Sequence, residues 1–424
     1  MSLTLPTQFS RSARLAPRYY HDVRPRTRLT ISAFPARCLQ TSTDQERSIT
    51  RFAFAFDIDG VLVRSSDALP RAHKALSHLQ SHHVPFILLT NGGGKHETQR
   101  VHDLSEKLGV SLDVEMFVQS HTPFANFSPE EKEDKTVLVV GGDGDNCRHV
   151  AHRYGFKNVI MPCDIFAADP TVMPFSSAQL SVHKRHAQPL LDPLPPISTI
   201  LVFNDPRDWA LDLQLITDLL LSKGGQLGTL STLNNNTDLP NRGYQQDGQP
   251  QLWFSNPDLL WAAKHPLPRF GQGGFREALE GVWAAITGGP QNGVSLQKRV
   301  IGKPYRFTYE FAEKKLLSHS RGMKRSTLLG TKSEDDAISS NEDSDSIKTL
   351  DRVYMVGDNP ESDIKGGNEY RSPMGVKWRT ALVETGVYVA GSEPKYKPSV
   401  IVGDVWDAVQ WALEEERKGG GWQQ

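Results

Sequence analysis

Apolar residues run without a break through FAFAF (52–56) and stop at Asp57-Ile58-Asp59-Gly60. A short continuous apolar run that ends in acids and a glycine predicts a parallel strand buried on both faces. Next, ALPRAHKALSHLQSH (68–82) carries Ala72, Ala75, Leu76 and Leu79 at helical spacing. VPFILLTNGGG (84–94) reads as a second buried strand that ends at Thr90. ETQRVHDLSEKLGV (97–110) reads as a helix stopped by Gly109. This alternation predicts an α/β fold with a doubly wound parallel sheet.

A second alternating series begins near residue 119. TVLVVGGDG (136–144) and ISTILVFND (197–205) predict parallel strands, and DWALDLQLITDLLLSKG (208–224) predicts an amphipathic helix. The proline-rich QPLLDPLPP (188–196) and the polar run 234–251 read as loops. From about residue 297 the first pattern resumes. KRVIGKPYRFTYEFAEKKL (298–316) predicts a short strand, a glycine turn and a helix. DRVYMVGDNPESDI (351–364) is another strand ending in acids, and PSVIVGDVWDAVQWAL (398–413) supplies a last strand and helix. The final KGGGWQQ reads as frayed, and Trp253 and Trp261 as packing residues. SEDDAISSNEDSDS (333–346) is too polar to bury a core and reads as a disordered insertion, set at 331–349.

Composition narrows the picture. A chain of 424 residues accommodates two compact domains, or one domain with a large insertion. Its 48 basic and 49 acidic residues leave no basic excess for general nucleic-acid binding. No apolar run approaches the roughly 18–20 residues of a transmembrane helix. Cys38, Cys147 and Cys163 are widely spaced, which suits reduced thiols rather than a disulfide framework or zinc site. The first 48 residues differ from the rest. Arg11, Arg14, Arg18, Arg24, Arg26, Arg28 and Arg37 stand there among Ser and Thr, and up to Arg37 the one acid is Asp22. That composition predicts a mitochondrial targeting segment.

Four short segments lie at predicted strand ends, where open α/β sheets bind ligands. In Asp57-Ile58-Asp59-Gly60, residues i and i+2 of an extended chain point the same way, so both carboxylates face one pocket. One can act as nucleophile and the other as acid/base if their environments differ. Thr90-Asn91-Gly92-Gly93-Gly94 offers a hydroxyl and free amides suited to phosphate. Gly302-Lys303-Pro304 places a lysine near a strand–helix turn, with the proline able to open the helix. Gly357-Asp358-Asn359-Pro360-Glu361-Ser362-Asp363 sets two acids across a tight turn, within reach of one Mg²⁺. Taken singly, each also reads as a plain turn, a strand end or a solvated lysine.

In this order the four segments resemble the DxDG, T, K and GDxxxSD elements of the haloacid dehalogenase superfamily. The gap from Thr90 to Lys303 resembles the room taken by an α/β cap of the C2 type, as in subfamily IIA. SHTPF (120–124), VFNDPRDWALDLQLITDLL (202–220), FSNPDLLWA (254–262) and RFGQGGFREALEGVW (269–283) resemble the group of cat eye syndrome critical region protein 5, with its fungal mitochondrial relatives. The resemblance implies a targeting segment over 1–48, core over 49–118 and 297–424, and a C2 cap over 119–296.

The same resemblance implies a Mg²⁺-dependent phosphohydrolase acting on a small phosphorylated metabolite. Asp57 would be the nucleophile, Asp59 the acid/base, and Lys303 the charge stabiliser. Thr90 and the amide of Asn91 would hold phosphate. Asp57, Asp59 (through its carbonyl), Asp358 and Asp363 would hold the metal. Asn256 and Asp258 read either as a core–cap contact or as a structural turn. A homodimer through the cap and a place in the mitochondrial matrix are further implications. The rival readings are a non-catalytic binding protein of the same fold and an enzyme of mitochondrial glycerophospholipid metabolism.

Overall fold

The computed structural model describes residues 50–420 and 422, apart from 66, 262–264, 266 and 330–349, and gives the backbone alone at 324–329. The basic segment 1–48 and the acidic block 333–346 lie outside the described residues.

Two parallel sheets carry the chain. The first has six strands in the order 400–402, 377–383, 352–357, 52–56, 86–89, 117–118. All its pairings are parallel. The chain winds from Phe52–Phe56 outward through 86–89 to 117–118, then returns to 352–357 on the other side. The winding therefore reverses beside Phe52–Phe56, and a crevice opens there at the carboxyl ends.

The FAFAF strand shows why this sheet is covered on both faces. Phe52, Phe54 and Phe56 pack with Ala72, Ala75, Leu76 and Leu79 of helix Ala72–Ser81, and with helix Val405–Lys418. Ala53 and Ala55 point the other way, against Tyr309, Ala312 and Leu316 of helix Arg306–Leu329. Large rings on one face and methyl groups on the other set how closely each helix layer approaches. Burying each phenylalanine contributes on the order of 1.5–3 kcal/mol. Helix Glu97–Leu108 ends at Gly109, whose φ of 65° lies in the left-handed region.

The second sheet has five parallel strands in the order 299–300, 251–254, 197–202, 136–140, 158–160. Its core includes Leu215, Ile216 and Leu219 of helix Trp209–Leu221, and Phe275, Leu279 and Trp283 of helix Gln272–Thr287. The short strand Arg299–Val300, which the pattern joins to the first series, pairs here instead. No helix among the described residues is long and apolar enough to cross a membrane.

Three expectations are corrected. Trp422 is buried, with its ring 5.6 Å from that of Phe52. The chain end is therefore docked at that residue, because the indole completes the Phe52 face. Trp261 is about half exposed, on the two-stranded hairpin Leu260–Trp261 and Arg269–Phe270, whereas Trp253 packs against Phe124 and Phe127. Pro304 does not open a helix, because the helix begins at Arg306.

Candidate active site

The six-stranded sheet delivers three of the four predicted segments to one crevice, and the Lys303 segment joins them from the edge strand of the five-stranded sheet. Asp57 follows strand Phe52–Phe56, and its N–H donates to Val356 O at 2.8 Å. Thr90 follows strand Phe86–Leu89, Asp358 follows strand Arg352–Gly357, and Asp363 lies in the wide helical turn Pro360–Ile364. Lys303 arrives from the segment after Arg299–Val300.

Local sequence explains the tight approach. Gly60 has a φ of 90°, and a Cβ there would stand 2.4 Å from Asp358 Oδ2. A Cβ at Gly357 would meet the Asp363 side chain at 2.2 Å. Tyr309 fixes the turn from behind, with its hydroxyl donating toward the carbonyls of Ser362 and Asp363 at 3.3 and 3.2 Å.

Lys303 is the centre of charge. Its Nζ lies 2.6 Å from Asp57 Oδ1 and 2.7 Å from Asp363 Oδ1. Burial alone would lower the pKa of this ammonium, but the carboxylates of Asp363 and Asp57 outweigh burial and raise it. Lys303 therefore stays charged. Asp57, Asp358 and Asp363 each offer an oxygen within 4.8 Å of the others, and all three are buried. Burial raises the pKa of each, with Lys303 opposing; repulsion from Asp59 adds to it at Asp57, from Asp57 and Asp363 at Asp358, and from Asp57 at Asp363. Asp363 is pushed up to about 6 and Asp358 well above the carboxylate range.

Three buried carboxylates face one ammonium, so the fully ionised site carries a formal −2. Asp363 Oδ1 is buried and accepts no hydrogen bond of good geometry, although Lys303 Nζ is close. Such a site is costly unless further positive charge enters it. An all-oxygen donor set with this deficit fits a hard divalent cation such as Mg²⁺.

Asp59 behaves differently from Asp57. Its side chain is exposed at the mouth of the crevice, outside the three-carboxylate cluster, and faces Gly92. The protein packed around it raises its pKa, against the pull of Arg100 and Lys303. Since the carboxylate itself reaches water, that elevation is softened by solvent.

The Thr90 loop is held at both ends. Thr90 Oγ1 accepts from Gly92 N at 2.9 Å. Gly94 N donates to His121 Nε2 at 3.1 Å, and His121 Nδ1 meets the Tyr154 hydroxyl at 2.8 Å. Tyr154 then donates to Glu97, which also accepts from Thr122 at 2.6 Å. Burial drives the His121 pKa down to about 4, so its neutral ring keeps Nε2 free to accept. The SHTPF segment thus braces this loop.

Asn91 spends its side chain on positioning. Nδ2 donates to Lys303 O at 2.9 Å and to both oxygens of Asp258 at 3.1 Å, while Oδ1 accepts from Lys303 N at 2.7 Å. Asn256 forms the turn, accepting from Asp258 N at 2.8 Å, and Asp258 reaches the crevice. The Ser255-Asn256-Pro257-Asp258 segment therefore forms a local turn and also contacts Asn91 of the Thr90 loop.

Two positions were missed. Val387 N donates to Asp358 Oδ2 at 2.7 Å, and a Cβ at Gly386 would fall 1.8 Å from that same oxygen. The signal was available, since Glu384-Thr385-Gly386 follows strand Lys377–Val383 at the same carboxyl edge.

Comparison with known proteins shows the family. A model of haloacid dehalogenase-like hydrolases matches residues 54–157, and a HAD-hydrolase-like model matches 300–408. A mitochondrial hydrolase of Saccharomyces cerevisiae is 36% identical, over 86% of this chain and 96% of its own length. A cardiolipin synthase (CMP-forming)/mitochondrial hydrolase fusion protein of Schizosaccharomyces pombe is 38% identical over 89% of this chain. The match spans 56% of that fusion protein. The p-nitrophenyl phosphatase from Archaeoglobus fulgidus shares the fold, with a TM-score of 0.51 at 16% identity over 85% of this chain and 99% of its own. The chain belongs to the haloacid dehalogenase-like hydrolase family.

Proposed function

We propose that this chain hydrolyses phosphate monoesters of small metabolites through an aspartyl-phosphate on Asp57. The observation that carries the reading is Lys303 Nζ, seated between Asp57 and Asp363 in a buried acidic centre.

Lys303 occupies Asp57 Oδ1, which leaves Oδ2 to attack phosphorus. The new bond joins that oxygen to phosphorus, and the bond from phosphorus to the leaving alcohol breaks. Asp59 gives its proton to the departing oxygen, a task suited to a raised pKa. It then takes a proton from water as that water attacks phosphorus, and Asp57 is released. Thr90 and the Asn91 N–H hold the phosphoryl oxygens, and Lys303 balances their charge. The side chains of Asp57, Asp358 and Asp363, with the Asp59 carbonyl, would hold Mg²⁺, which when bound supplies positive charge to the transferring group.

In this reading residues 119–296 form a cap that excludes water from the crevice. The basic segment 1–48 and the names of the two fungal relatives support a mitochondrial location; within the organelle, the matrix is the compartment proposed. The relative named as a cardiolipin synthase fusion favours a narrower version, in which the substrate is a glycerophosphate-type lipid precursor. The test is phosphate release by the full chain with Mg²⁺ on a panel of phosphorylated sugars, nucleotides and glycerophosphates. Turnover of one class identifies what the cap admits. Silence across the panel from folded protein overturns the reading.

A further inference from the structure

A second crevice opens at the carboxyl ends of the five-stranded sheet. Strand Thr136–Val140 lies between Asn158–Ile160 and Ile197–Val202, so the winding reverses beside it. Such a reversal leaves a gap between the strand-end loops, a common place for ligands. Here the gap is a cavity of about 450 Å³, within the usual range of small-molecule sites. One wall is the glycine loop 141–144, and the others come from segments 161–163, 179–186 and 207–212. The lining includes none of the residues of the Asp57 centre.

Asp212 sets this cavity apart. It lies in the first turn of helix Trp209–Leu221, is only 5% exposed, and lines the cavity. Among the described residues its carboxylate has no hydrogen-bond or ion-pair partner. Asp208, one helical turn earlier, caps the helix through Leu211 N at 3.1 Å and stands 3.1 Å from His183 Nε2. Asp143 is paired with Arg207 at 2.9 Å. With Asp212 ionised and the imidazoles counted neutral, three acids against one arginine give the lining a formal −2, and with Asp212 protonated a formal −1.

A buried ionised carboxylate without a partner is destabilising unless a proton or a cation compensates it. An anion is repelled by this lining. A bare metal ion is not favoured either, because among the described residues only Asp57, Asp358 and Asp363 converge as an ion-holding cluster. What remains is a cation with its own hydrogen-bond donors and a carbon skeleton to rest on Met161 and Val182, which also line the space.

We propose that this crevice binds a small organic cation bearing a primary amine, with Asp212 as its carboxylate partner. Burial, with Asp208 adding, raises the Asp212 pKa well above the ordinary range. Without the cation the carboxyl therefore keeps its proton. Binding of the ammonium releases that proton to solvent and forms a charge-assisted hydrogen bond.

The test is calorimetry on the full chain with 1,4-diaminobutane and with its uncharged counterpart 1,4-butanediol, for wild type and Asp212→Asn. Asparagine keeps the shape and removes the charge, and thermal melting checks that the variant is folded. The expected result is diamine binding with proton release, no diol binding, and affinity at least about tenfold weaker in Asp212→Asn. Failure of the diamine to bind at millimolar concentration overturns the proposal. So does equal binding to the variant, or equal binding of the diol. None of these readouts depends on phosphate chemistry, so they stand apart from the proposal for Asp57.

Discussion

The Asn91 side chain grips the backbone of Lys303 from both sides, accepting from its N–H at 2.7 Å and donating to its carbonyl at 2.9 Å. The two residues lie 212 positions apart, on segments from opposite sides of the second sheet's sequence. This clamp sets where the lysine side chain starts, and therefore where Nζ meets Asp57. Asn91→Ala leaves a buried N–H and carbonyl unpaired, at a cost of about 1–3 kcal/mol each. Displacement of a catalytic group by about 1 Å can lower turnover ~10²-fold. Steady-state phosphate release is expected to show a fall of that order in kcat with a smaller change in KM.

Gly386 offers a test that replaces none of the functional side chains. A Cβ there collides with Asp358 Oδ2, and its backbone does not need the left-handed region. The three atoms nearest that Cβ all belong to Asp358, so Gly386→Ala acts first by displacing this side chain. Mg²⁺ affinity is expected to fall at least tenfold, a modest share of the 10–100-fold seen when metal-supporting contacts are lost. Titration of Mg²⁺ against activity checks this.

Metal and stability are linked through the same carboxylates. Mg²⁺ at about a hundred times its dissociation constant is expected to stabilise the fold by about 2.7 kcal/mol, read as a rise in Tm. Asp358→Asn should abolish that rise. In metal-free buffer the variant should melt no lower than wild type, because it removes a buried carboxylate whose ionisation the fold resists. A chelator-sensitive Tm that survives Asp358→Asn would place the metal elsewhere.

Asp258 predicts a pH signature. Burial pushes its pKa up to about 7, with Lys303 and the Asn91 amide opposing. Its unfolded value is about 3.9, so between those limits the folded protein holds the extra proton. Stability from this group is therefore full below about pH 4 and is lost as pH rises to about 7. Thermal melts of metal-free protein across this window should fall more steeply for wild type than for Asp258→Asn, which keeps the bond to Asn91. Parallel curves would show that Asp258 does not titrate there.

Much of this was legible because the chemistry sits where apolar runs stop. FAFAF, FILL and RVYMVG are buried strands, and each is followed by a residue of the crevice. Strand Lys377–Val383 was not legible, because Lys377 and Arg379 interrupt its apolar run at the sheet's outer end. Its neighbour Gly386 went unread for the same reason. Asp258 was ambiguous because a local turn and a long-range contact use the same four residues, and only folding brings Asn91 beside it. The unpartnered state of Asp212 was hidden inside an ordinary amphipathic pattern, since periodicity reports burial and not partners.

The central claim is that Asp57 is the nucleophile. Phosphate release from the best panel substrate, with Mg²⁺, should be compared between the wild-type full chain and Asp57→Asn. The account predicts steady release by wild type and at least a ~10³-fold loss in a variant that melts as a folded protein. Turnover by Asp57→Asn at a rate near that of wild type would contradict it.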